Sequence, residues 1–111
     1  MVVADQLAIF SITKTIVATQ VMQLVESGAL HLDDLAADRL PADLDIDTNG
    51  ARIVDLLSMR SGIPPWVPDA GALIADPLRV WTAQERLDTV PTRRGPVGGD
   101  WEYSGTNYLL L

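Results

Sequence analysis

The sequence predicts a mostly α-helical chain with little strand, organised as one domain. Two observations carry this. Apolar residues recur with helical spacing from Ser11 to Ser27, and a hydroxyl-x-x-carboxylate helix start stands at Thr82 to Glu85. At 111 residues, 48% hydrophobic and 21% charged, the chain is apolar enough to fold and long enough for a single modest core.

In chain order, Met1 to Phe10 holds Val2, Val3, Leu7, Ile9 and Phe10, and fits either a strand or an irregular entry. Ile12, Ile16, Val17, Val21, Met22, Leu24 and Val25 then cover most of a helix circumference, so this helix is expected to be central. Gly28 follows where a left-handed cap would end it. From Asp33 to Asp55 seven acids stand among Pro41 and Asn49-Gly50, and read as turns on a solvated face. They lack the alternating register and closing glutamate of a calcium loop.

Ile53 to Met59 is a short helix stopped by Gly62, and Pro64-Pro65-Trp66-Val67-Pro68 a stiff, extended connection. The helix from Thr82 should reach about Val90 and stop at Pro91. A glycine loop, Gly95 to Gly99, leads to Trp101 to Leu111, where the chain ends inside an apolar run and reads as an interrupted domain.

Composition removes several classes of function. Eight basic residues against fifteen acidic ones give a net charge of −7, the wrong sign for nucleic acid or an anionic membrane surface. Without cysteine there is no disulfide, thiolate metal site or cysteine nucleophile. The single histidine, His31, cannot form a histidine metal cluster. No stretch approaches the ~18 apolar residues of a membrane span, and no secretory signal is read at the start.

Two elements can carry chemistry. Ser11 and Lys14 stand three residues apart at the head of the first helix, within mutual reach on one face. A serine hydroxyl attacks only when a base takes its proton, and a lysine can serve where burial or nearby positive charge lowers its pKa. The chain's one lysine follows one of its five serines at this spacing, an arrangement expected by chance about once in twenty. Otherwise Ser11 caps the helix and Lys14 reaches solvent. The second element is Tyr103-Ser104-Gly105, where a phenol beside a lysine can exchange protons in acyl transfer, or simply pack with Trp101 at the edge of the core.

Taken together, these segments resemble the serine β-lactamase-like hydrolases: class C β-lactamases, D-alanyl-D-alanine carboxypeptidases, and related penicillin-binding-protein-like esterases. The resemblance runs in order through Leu7 to Thr15, Gln23 to Asp34, Leu40-Pro41, Ile53 to Pro64 and Trp101 to Leu110. It implies an α+β serine β-lactamase/DD-peptidase-like fold, of which residues 1–111 are mainly the helical part, a partial domain without the C-terminal sheet.

Carried over residue by residue, the resemblance implies that Ser11 is the acyl-forming nucleophile and Lys14 its activating partner. It makes Tyr103 the residue exchanging protons with nucleophile and leaving group, and gives Ser11's own N–H half of the oxyanion hole. His31 falls where the family has no catalytic residue and is expected at the surface. The implied substrate is a β-lactam, a D-Ala-D-Ala peptide as in peptidoglycan, or an ester, with no cofactor and no metal. Members are often exported.

The chain departs from the family pattern in three places. The usual Tyr-x-Asn has Gly105 in its third position, which weakens the case for amide recognition and favours ester substrates. Gly105 and, two residues on, Asn107 are the candidate substrate contacts, although Asn107 also suits the next helix start. Met59-Arg60 replaces a His-Thr pair in a structural region. The third motif, Lys or His followed by a small residue and glycine, would come after Leu111. A catalytically inactive relative serving as a structural or binding module is therefore the alternative, with exposed apolar helix faces and self-association as its expected marks.

Overall fold

The computed structural model describes residues 8–111, so most of the entry segment Met1 to Phe10 lies outside the described residues. The elements are α1 (Ile12–Glu26), a 3₁₀ turn (Ala36–Asp38), α2 (Ile53–Leu57), α3 (Ala70–Ala75), α4 (Ala83–Leu87) and α5 (Gly105–Leu110). Extended pairing among the described residues is limited to an isolated antiparallel bridge between Leu35 and Arg52.

Helix α1 ends as its sequence dictates. Gly28 has φ +75°, the Ala29 N–H reaches back to the Leu24 carbonyl at 3.0 Å, and the Gly28 N–H reaches the Val25 carbonyl at 3.1 Å. This is a Schellman cap, in which glycine takes the left-handed position at no steric cost. At α4 the capping box forms: the Thr82 hydroxyl accepts the Glu85 N–H at 3.1 Å, and Glu85 accepts the Thr82 N–H at 2.8 Å. Regular helix there stops at Leu87, and turns carry the chain on to Val90.

The core is not where the periodicity puts it. Ala36, Ala51, Leu56, Ile63, Leu87 and Leu110 form one buried cluster, with Leu40, Leu44, Ile46 and Val90 packed around it. Helices α2 and α5 pack directly against each other. Helix α1, expected to be central, lies at the flank: Val21 is buried, while Ile12, Ile16, Met22 and Leu24 are each about half exposed or more. Turn contacts build the core instead. The Ala36 N–H donates to Ala51, and the Ile53 and Val54 N–H groups to Asp34 and Leu32. The acids read as solvated turns include Asp34, which ties its own turn by accepting the His31 N–H at 2.8 Å and the Arg39 guanidinium at 2.7 Å.

A second set of contacts fixes the path of residues 95–102. The Gly95 N–H donates to the Gly62 carbonyl at 2.8 Å, Gly98 to Arg60 at 2.8 Å, and Glu102 to Met59 at 3.1 Å. Asn49 spans the junction, its Nδ2 donating to Ser61 at 2.8 Å and Gly95 at 2.9 Å. Gly62 is required here: its φ is +71°, and a Cβ would stand 2.3 Å from the Gly95 carbonyl oxygen. The 59–62 segment thus delivers the chain to Tyr103.

Candidate active site

Ser11, Lys14 and Tyr103 converge although 92 positions separate the first from the last. The Ser11 Oγ and Tyr103 Oη are 2.9 Å apart, in a hydrogen bond that either hydroxyl can donate, and Lys14 Nζ donates to Ser11 Oγ at 3.4 Å. The ammonium also stands 5.3 Å from the centre of the Tyr103 ring. The capping reading of Ser11 does not hold, because its side chain makes no cap hydrogen bond. The first turn of α1 closes through backbone bonds of i→i−3 type, with the Lys14 N–H on the Ser11 carbonyl at 3.0 Å. That leaves the Ser11 hydroxyl for Tyr103 and Lys14.

The backbone before Ser11 is unusual. Phe10 has φ +44°, uncommon for a bulky residue, and is largely exposed. Such left-handed residues are held by their surroundings and cluster at functional sites. The reversal at Phe10 turns the chain into α1 at the nucleophile candidate. Among the described residues, no carbonyl accepts the Ser11 N–H.

The hydrogen bond with Ser11, then that with Lys14, holds the Tyr103 phenol below its ordinary pKa; desolvation opposes them, and the Lys14 charge adds a smaller lowering. Tyr103 is 47% exposed, so solvent screens this effect. The arrangement still favours phenolate at a lower pH than free tyrosine.

Gly105 and Asn107 part company. Gly105 lines a cleft of about 280 Å³ shared with Lys14 and Trp66, and a Cβ at 105 would lie 3.3 Å from the Trp66 indole nitrogen. Asn107 is buried at 1% exposure. Its Oδ1 accepts the Ser61 hydroxyl at 2.6 Å and its Nδ2 donates to Met59 Sδ at 3.4 Å. The expectation that Asn107 contacts substrate therefore gives way to a core role, because both ends of the amide are taken up inside the protein. Met59, the residue in place of the family's histidine, accepts that bond and one from the Ser104 N–H at 3.4 Å, and so supports the backbone next to Tyr103. His31 is exposed, and its Nδ1 stands 3.8 Å from the Asp34 carboxylate.

Sequence reasoning missed Trp66 and Arg86, which line the same cleft as Lys14. Twenty residues separate them in unrelated segments, and no local pattern joins them. Among the described residues no group of three or more histidines or carboxylates gathers as a metal would need, and no helix is long and apolar enough to cross a membrane.

The family description Beta-lactamase matches residues 5–111. The chain belongs to the beta-lactamase family. Among solved structures, this beta-lactamase-family chain is similar to a D-stereospecific amidohydrolase from Streptomyces sp., at 27% identity and a TM-score of 0.77. The similarity covers 90% of this chain and 33% of that one, so the chain spans about a third of the relative's length. No curated protein matches it. Membership establishes the serine β-lactamase-like fold, here represented by its mostly helical part, and places the chain in a hydrolase superfamily.

Proposed function

We propose that this protein is a serine hydrolase that passes through an acyl-enzyme on Ser11, and that residues 1–111 are the helical part of its catalytic domain. The observation that carries the reading is the 2.9 Å contact between Ser11 and Tyr103 with Lys14 bound to the same hydroxyl. A serine oxygen becomes nucleophilic as its proton leaves, and the Tyr103 phenolate, held beside the Lys14 ammonium, is the acceptor in reach. As Ser11 Oγ bonds to the substrate carbonyl carbon, the carbonyl electron pair moves onto its oxygen, next to the Ser11 N–H. Collapse expels the amine or alcohol, which recovers the proton through Tyr103. Water then repeats the sequence on the acyl-serine and frees the acid.

Glycine at 105, in place of the asparagine of the family pattern, supports ester substrates, while the likeness to a D-stereospecific amidohydrolase supports D-configured amides. Turnover of a p-nitrophenyl ester, a D-amino-acid p-nitroanilide, its L-enantiomer and a chromogenic cephalosporin separates these. The ester or the D-anilide is expected to react, with a loss of about 10³-fold or more in Ser11→Ala. Equal rates for both proteins would overturn the reading, and no turnover of any substrate would favour an inactive relative.

A further inference from the structure

The cleft beside Ser11 differs in sign from the rest of the molecule. The chain carries a net charge of −7, yet among the described residues the wall of this cleft holds two cations, Lys14 and Arg86, and no carboxylate. Lys14 is engaged by Ser11. Arg86 is not engaged: among the described residues it forms no ion pair, its partly buried guanidinium rests 5.6 Å from the Trp66 ring centre, and its Nε is buried without a hydrogen-bond acceptor.

Two acids line a much smaller cavity that also touches Trp66 and Arg86, and both are committed elsewhere. Glu85 pairs with Arg79 and accepts the Thr82 N–H, and Asp69 accepts the Ala72 N–H at 3.0 Å at the start of α3. A guanidinium N–H withdrawn from water without an acceptor is costly, and the cost is recovered when a carboxylate arrives, since charge-assisted bonds to arginine are among the strongest available. With no side chain at Gly105, the cleft stays open between Trp66 and Lys14.

We infer that this cleft is a carboxylate-binding subsite: Arg86, packed on Trp66, receives an anionic group on the substrate and so selects acidic esters or amides. The inference rests on the hydrolase reading for its link to turnover. A carboxylate could sit on the acyl portion or on the leaving group, and two matched pairs of esters distinguish these. The first is p-nitrophenyl hydrogen glutarate against p-nitrophenyl methyl glutarate; the second is 3-acetoxybenzoate against 3-acetoxybenzamide.

In the native protein, kcat/KM should favour the acid of one pair by about tenfold or more. Arg86→Gln should abolish that preference by lowering kcat/KM for the acid far more than for its neutral partner, and Arg86→Lys should keep part of it. No preference in either pair, or one that survives Arg86→Gln, overturns the subsite. Should no ester be turned over, the hydrolase reading fails separately, and calorimetric titration with glutarate against glutaramide then decides. Glutarate binding lost in Arg86→Gln upholds the subsite, and equal or absent binding of the two ligands refutes it.

Discussion

Asn107 and Ser61 meet in the core across 46 positions of sequence, with the serine hydroxyl donating to the amide oxygen at 2.6 Å. Both residues are about 1% exposed, and Ser61 Oγ also accepts the Ile63 N–H at 3.1 Å. The pair joins the segment after α2 to the start of α5, where Asn107 follows Tyr103 by four residues. Ser61→Ala would strand a buried carbonyl oxygen and a buried N–H at once. It should cost about 1–3 kcal/mol in urea or thermal unfolding. A double-mutant cycle with Asn107→Ala should show coupling of about 0.5 kcal/mol or more, and additive losses would remove the pair from this role.

Ser104, next to Tyr103, presents the opposite case. Its Oγ is buried without a hydrogen-bond partner. An unpaired buried hydroxyl opposes folding, so Ser104→Ala should raise stability by about 1 kcal/mol with the Tyr103 backbone unmoved. Denaturation midpoints check this, and a loss of stability would reveal an acceptor for that hydroxyl.

These two residues show where the sequence was and was not legible. Helix α1 with its Gly28 stop and α4 with its Thr82–Glu85 box were readable because a cap is a local event, settled within a few residues. Helix α3 was missed: Asp69 caps it, but Ala-Gly-Ala carries no apolar stripe, and its residues are not buried. The flank position of α1 was unreadable for another reason, since periodicity measures how much of a helix is apolar and not what the rest of the chain lays against it. Ser11, Lys14 and Tyr103 were nameable from motif and resemblance. The uses made of Asn107, Met59 and Arg86 depend on contacts spanning 20 to nearly 50 residues, which no local signal encodes.

The lowered Tyr103 pKa has a kinetic consequence. A phenolate forms below the ordinary tyrosine value of about 10, so the rate of Ser11 acylation should climb with pH along a limb centred below that value. Tyr103→Phe should erase the limb and slow acylation by about 10²–10⁴-fold. A limb of unchanged position in Tyr103→Phe would assign it to another group.

Asp34 contributes stability that is lost at acid pH. The His31 N–H, then the Arg39 guanidinium, hold its carboxyl below the ordinary aspartate range. Because the folded value is depressed, its stabilisation is fully present above the unfolded value of about 3.9 and disappears as pH falls through the lower folded value. Asp34→Asn should therefore melt below the native protein at pH 6, and the gap should close as pH drops below about 4. A gap independent of pH would mean that the carboxylate charge does not matter.

Covalent labelling of Ser11 tests the central claim most directly. The native protein and Ser11→Ala are incubated with a fluorescent fluorophosphonate and a fluorescent penicillin, and the adducts are located by peptide mass spectrometry. The account predicts a single adduct on the peptide carrying Ser11, absent from Ser11→Ala and slowed in Tyr103→Phe. Equal labelling of the native protein and Ser11→Ala, or an adduct mapped to another residue, would contradict it.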